Sequence, residues 1–138
     1  MHQGAADTAL VRLLQALSLR GYSFVTPLNT TYRTIRSRPE KQAARDLRDV
    51  LGWSLPYRPG AIDPEIEAML EHAGCVRDTP LGRVATVRVS AVHSLLFLHS
   101  AYPTREADSV FLGPDTYRFA EFLRTELRDT SAERVLDL

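Results

Sequence analysis

The side chains able to move a proton, hold a metal or attack a carbonyl are few and scattered: His72, His93, His99, Asp108, Asp115, Cys75 and the serines Ser90, Ser94 and Ser100. Metal ligation by His93 and His99 needs a third ligand, to which no spacing in the chain points. His99 closes an apolar run, where an imidazole ordinarily donates to a backbone carbonyl, and Cys75 follows Gly74 without an activating base, the pattern of a buried, inert thiol. None of the serines has a Gly-x-Ser-x-Gly context, so no nucleophile elbow is encoded. Two stretches carry more. Gly113-Pro114-Asp115-Thr116 reads as a helix start, whose unpaired N–H groups and partial positive charge suit a carboxylate or phosphate, while Asp115 or Thr116 can meet an amino group. The same four residues also describe a well-capped helix that binds nothing. Arg33, Arg36 and Arg38, with Tyr32 beside them, form a basic run that could touch a phosphate backbone; Glu40, Asp46 and Asp49 close by fit a plain solvated surface instead.

The elements that must position these residues follow from periodicity. Leu10, Leu13, Leu14 and Leu17 predict a helix over 7–19 that Gly21 ends. Residues 22–38 read as a connecting arm, because Phe24-Val25-Thr26-Pro27 is cut by proline and Asn29-Thr30-Thr31 favours local side-chain hydrogen bonds. Pro39 opens a second helix with Ala43, Ala44, Leu47, Val50 and Leu51 on one face, stopped by Gly52. Trp53 and Tyr57 stand in a proline-punctuated turn, either locking that loop onto the core or offering a stacking platform. Asp63-Pro64-Glu65 starts a third helix that buries Ile66, Met69, Leu70 and Ala73 and ends at Gly74. Residues 83–92 and 95–99 predict an antiparallel pair turning at His93-Ser94, with Val87, Val89 and Ala91 alternating against Arg88 and Ser90 on a wet face. Three helices and a hairpin are the order of a winged-helix module. The third helix displays Asp63, Glu65, Glu67 and Glu71, so it suits a protein partner or a neighbouring domain better than a phosphate-lined groove.

A boundary falls at Pro103-Thr104-Arg105-Glu106-Ala107-Asp108. Beyond it, Val110-Phe111-Leu112 approaches a helix with a broad apolar face of Phe119, Ala120, Phe122, Leu123 and Leu127, and Arg134-Val135-Leu136-Asp137-Leu138 reads as a closing strand. The expected fold is α+β: residues 1–103 a helical, winged-helix-like domain with a β-hairpin, and residues 104–138 the first helix and strand of a Rossmann-like sheet.

Composition limits the function classes. Across 138 residues, 17 basic and 17 acidic side chains cancel, which removes the bulk argument for a nucleic-acid coat or an anionic membrane surface. A single cysteine excludes a disulfide framework and a thiolate zinc cluster, no stretch approaches the ~20 apolar residues of a membrane span, and a reducing cytoplasm fits best.

The run Val110-Phe111-Leu112-Gly113-Pro114-Asp115-Thr116-Tyr117-Arg118-Phe119, a helix, and then Arg134-Val135-Leu136-Asp137-Leu138 resembles the approach to the S-adenosylmethionine site of class I methyltransferases. It is most similar to the small methyltransferase domain of HemK-like enzymes, where a Pro-Asp/Glu-Thr helix start precedes a Val-Leu-Asp-Leu strand and a glycine-rich loop. Upstream, Leu51-Gly52-Trp53-Ser54-Leu55-Pro56, Val87-Arg88-Val89-Ser90, Leu96-Phe97-Leu98-His99-Ser100 and Tyr102-Pro103-Thr104 resemble the N-terminal half of bacterial members. The likeness covers most of the chain from Phe24 onward. It implies S-adenosylmethionine as cofactor, with Phe111, Gly113, Pro114, Asp115 and Thr116 lining one side of its pocket and residues before Pro103 choosing a protein or nucleic-acid substrate. In the family the strand runs into a Gly-x-Gly-x-Gly loop, an acidic residue for the ribose and an Asn/Asp-Pro-Pro-Tyr motif; none of these is present here. The chain is thus expected to be the N-terminal part of a cytoplasmic methyltransferase, inactive alone, with no catalytic residue, metal site or membrane contact of its own. Its partner would be the remainder of the methyltransferase domain, and without it the unfinished sheet edge would favour self-association. The alternative is a free-standing winged-helix-like module that binds nucleic acid or protein.

Overall fold

The computed structural model describes residues 2–136, so Met1 and the Asp137 and Leu138 of the anticipated closing strand lie outside it. The first helix, α1, runs over His2–Leu19, starting earlier than the leucine stripe suggests. Leu13 and Leu17 are fully buried. The helix ends where Gly21 takes φ 67° and the Tyr22 N–H returns to the Leu17 carbonyl at 3.0 Å. Its apolar stripe packs on α4 (Pro64–His72), which Asp63 caps by accepting the Glu65 N–H at 2.9 Å. Ile66 and Leu70 meet α1 in the core, and each such buried aliphatic side chain contributes about 1.5–3 kcal/mol. The acidic surface of α4 is engaged within the chain. Arg20 reaches Asp63 at 2.9 Å and Glu65 at 2.6 Å, and Arg83 reaches Glu67 at 2.7 Å and Glu71 at 2.6 Å.

Between these helices the chain departs from the expected outline. The arm over 22–28 is extended, but residues 29–36 form a second helix, α2 (Asn29–Arg36). The Asn-Thr-Thr run occupies its first turn, where short polar side chains cost least, and burial of Tyr32 holds the helix to the core. The single helix expected from Pro39 is instead a 3-10 turn, Pro39–Lys41, followed by a short α3, Leu47–Leu51. Asp46 breaks the run by capping α3, accepting the Asp49 N–H at 2.8 Å. Asp49 is itself buried and pairs with Lys41, the only lysine, at 2.5 Å.

Two antiparallel hairpins complete the α+β architecture. The β1 (Val76–Thr79) and β2 (Gly82–Ala85) strands pair across Pro80-Leu81, and β3 (Val87–Val92) pairs with β4 (Leu95–Ser100) across His93-Ser94. The continuous strand anticipated over 83–92 is divided at Thr86, whose N–H donates to Cys75 and whose carbonyl accepts from Ala101. The final helix, α5, spans Pro114–Glu126. Residues 134–136 form no strand, and among the described residues the ladders join β1 to β2 and β3 to β4 alone.

Candidate functional site

Three places carry side chains with chemical potential. The first is the start of α5. The Gly113 N–H donates to Thr116 Oγ1 at 3.2 Å and the Thr116 N–H donates to the Gly113 carbonyl at 2.9 Å, so the threonine caps the helix. The Phe111 ring lies against Gly113 so closely that a Cβ there would stand 2.5 Å from its Cζ. Phe111 and Asp115 are exposed, and the Asp115 carboxylate has no hydrogen-bond partner among the described residues. Phe111, Gly113, Pro114, Asp115 and Thr116 thus gather at one helix end as an aromatic face, a free carboxylate and a capped turn. Further along α5, Phe119 (60 % exposed), Phe122 (57 %), Leu123 and Leu127 face solvent.

The second place lies inside. Arg88 and Ser90, expected on a wet face, are 1 % and 0 % exposed, because the 22–28 arm and the loop after β4 cover that side of the hairpin. The arm is fixed by the Ala91 N–H on the Phe24 carbonyl at 2.8 Å and by Tyr22 Oη donating to the Val89 carbonyl at 2.8 Å. On the covered face the ladder sets Arg88 opposite His99. Ser90 Oγ sits 2.7 Å from His99 Nε2 and 2.5 Å from Thr26 Oγ1. Arg88 donates through Nε to the Ser100 carbonyl at 2.7 Å and through Nη2 to Thr104 Oγ1 at 3.3 Å. A serine at hydrogen-bond distance from an imidazole is the spacing of a nucleophile and its base. The environment removes that role: the pair is closed to solvent, and burial first, then the nearby Arg88 charge, depresses the His99 pKa to about 3. A base that weak holds almost no proton affinity at neutral pH, so the cluster is structural. His99 binds side-chain hydroxyls rather than the backbone carbonyl its sequence context suggested, and its Nδ1 has no partner among the described residues.

The third place is a cleft of about 730 Å³ between α2, the β1–β2 hairpin and the loop after β4. Arg36, Arg77 and Arg105 reach it from these three segments, over a floor that includes Ser54, Thr86 and Tyr102. Arg36 Nη1 donates to the Trp53 carbonyl at 3.0 Å and the Ser54 carbonyl at 2.9 Å, and its guanidinium stacks on the Tyr102 ring at 5.2 Å. Tyr102 in turn lies parallel to Tyr32 at 4.8 Å, and the Arg88 guanidinium lies 5.0 Å from the Tyr32 ring centre. Each tyrosine of the stacked pair thus meets a guanidinium group. Sequence reasoning missed this site, since its parts come from separate segments and, of its three arginines, only Arg36 drew notice as a candidate contact.

The remaining candidates disperse. Tyr32 is buried, with its hydroxyl on the Gly52 carbonyl at 2.8 Å, and Arg36 is partly buried, so of the basic run only Arg33 and Arg38 are fully on the surface. Trp53 packs edge-on to Phe24 and Tyr32, and Tyr57 is fully buried and exchanges backbone hydrogen bonds with Arg83, so both aromatics lock the loop to the core. His72 is exposed with Nδ1 on the Ala68 carbonyl, His93 is exposed at the hairpin turn, and Cys75 is buried, which pushes its thiol pKa up. Asp108 borders the cleft. Comparison with protein-family models, curated proteins and solved structures returns no match.

Proposed function

We propose that this chain is the N-terminal part of an S-adenosylmethionine-dependent methyltransferase of the HemK-like group, contributing substrate recognition and one wall of the cofactor pocket. The observation that supports it is the apolar face of α5. Phe119, Phe122, Leu123 and Leu127 are displayed by a helix that begins at Gly113-Pro114-Asp115-Thr116, and such a face suits a covering surface. In this reading the cover is the remainder of a Rossmann-like methyltransferase sheet, and residues 134–138 become its first strand once a neighbour exists to pair with them. The helices and hairpins of residues 1–103 form the winged-helix-like substrate domain, in a reducing cytoplasm where Cys75 stays a free thiol.

When bound, S-adenosylmethionine supplies an electrophilic methyl group. The part of this chain would be positioning: Phe111 and Asp115 would hold the ligand, the ring by packing and the carboxylate by pairing with an amino group, on a turn that the Thr116 cap fixes. No residue here acts on the reacting atoms. The test uses the reading frame beyond Leu138. A Gly-x-Gly-x-Gly within the next few codons is expected, together with calorimetric binding of S-adenosylmethionine by the extended product that Phe111→Ala and Asp115→Asn weaken. An extended product that ignores the cofactor sinks the proposal. Salt-dependent binding of DNA by the chain itself, lost on replacing Arg33 and Arg38, would point to a free-standing binding module instead.

A further inference from the structure

The cleft beside Tyr102 combines features that the cofactor wall does not use. Arg36, Arg77 and Arg105 border it, and Arg88 lies behind its aromatic floor; none of the four makes an ion pair among the described residues. Elsewhere in the chain Arg20 and Arg83 each meet at least two carboxylates. With 17 acidic residues for 17 basic ones there is no shortage of carboxylates, and two of them, Glu106 and Asp108, line the same cleft without forming an ion pair to these arginines among the described residues. Arg36 shows the effect most clearly. Only its Nη1 is engaged, by the Trp53 and Ser54 carbonyls, and burial draws its pKa below the ordinary guanidinium value, with Arg88 adding to the shift. A partly desolvated cation with donors unspent is stabilised by an anion, and a guanidinium fork matches a carboxylate or phosphate.

The floor is also strained. Ser54 is 5 % exposed and holds φ at 55°, a left-handed conformation that a non-glycine residue seldom keeps without reason. It is held there from two sides: its Oγ accepts the Tyr102 N–H at 3.1 Å and its carbonyl accepts Arg36. Those bonds tie Arg36 and the Tyr102 main chain, both of the cleft's lining, to one strained residue.

We infer that this cleft is a binding site for a small molecule bearing one compact oxyanion, a carboxylate or a phosphate, seated between Arg36, Arg77 and Arg105. Its volume lies within the ~300–1,000 Å³ of small-ligand sites. Glu106 and Asp108 line the same cleft and disfavour a second anionic group, which selects a single charged end over a nucleic-acid backbone and suits an amine or hydroxyl donor elsewhere on the ligand. The site lies within residues 36–109 and does not depend on methyl transfer.

The experiment is calorimetric titration of the full chain at constant ionic strength with inorganic phosphate, with acetate and with a single-stranded oligonucleotide. Saturable binding of phosphate or acetate is expected, and the one that binds names the oxyanion. Arg77 and Arg105 are exposed, so the Arg77→Gln/Arg105→Gln chain should keep its melting temperature while its affinity falls by about tenfold or more, the loss of a charge-assisted hydrogen bond. Arg12→Gln on α1, remote from the cleft, should change nothing. Saturation by neither anion, equal affinity in the double variant, or oligonucleotide binding that displaces the anion and requires Arg33 and Arg38 would each overturn the inference.

Discussion

The β3–β4 hairpin and helix α5 invert each other. The hairpin hides a guanidinium, a hydroxyl and an imidazole on a face that sequence alternation marks as wet, whereas α5 shows two phenylalanines and two leucines to solvent. The hidden polar groups cost little because the chain supplies partners: Thr26 from the arm, the Ser100 carbonyl and Thr104 from the following loop. The displayed apolar groups have no equivalent cover among the described residues, although the arm that shields the hairpin also touches α5, where the Thr26 N–H donates to Tyr117 Oη at 3.0 Å. The difference separates a face covered by the described residues from one that they leave open.

The comparison breaks most readily at Arg88. Arg88→Ala leaves the Ser100 carbonyl short of a donor and empties space beneath Tyr32, so the urea midpoint should fall by an amount equivalent to about 3 kcal/mol; an unchanged midpoint would mean the buried polar face adds nothing. Next is pH. The His99 pKa is depressed to about 3 in the fold, so on acidification the unfolded chain takes the proton first, near pH 6.5. Stability from this residue is complete above that value and is lost progressively down to the folded pKa, by about 2 kcal/mol between pH 6.5 and 5. Urea titrations at the two pH values should show the loss, and His99→Gln should flatten it. Thr26→Val removes one hydroxyl from the Ser90–His99 pair and should cost about 1 kcal/mol at neutral pH. The smallest effect belongs to the other region. Phe119→Ser with Phe122→Ser should move stability by no more than about 0.5 kcal/mol, while sedimentation and binding of an apolar dye report less self-association. A loss of several kcal/mol there would show that α5 is covered within this chain after all.

Much of the outline was legible in local pattern. The stripe ending in Leu17, the Asp63-Pro64 start and the turn at His93-Ser94 each bury or pair residues close in sequence, and all three stand where expected. The failures share a cause, which is that distant residues decided them. Whether Asn29-Thr30-Thr31 is a loop or a first helical turn depends on a pocket for Tyr32 built by Gly52, Trp53 and Tyr102. Whether Arg88 and Ser90 are wet depends on an arm more than sixty residues upstream in the case of Thr26 and Ser90. The cleft was illegible for the same reason, since Arg36, Arg77 and Arg105 have no common spacing. The residues at the start of α5 were singled out because their pattern is contiguous, and the structure keeps them as neighbours at one helix end.

Trp53, the only tryptophan, stands with its ring 5.2 Å from both Phe24 and Tyr32, and its carbonyl holds Arg36 at the cleft. Tyr32 lies parallel to Tyr102, so light absorbed by either phenol passes to the indole across van der Waals distances. Nearly all emission from this quarter should then leave through one residue. Any event that parts the tyrosines or draws Arg36 away from the Trp53 carbonyl becomes a change in colour or brightness, and the protein carries its own optical probe of the cleft without a label.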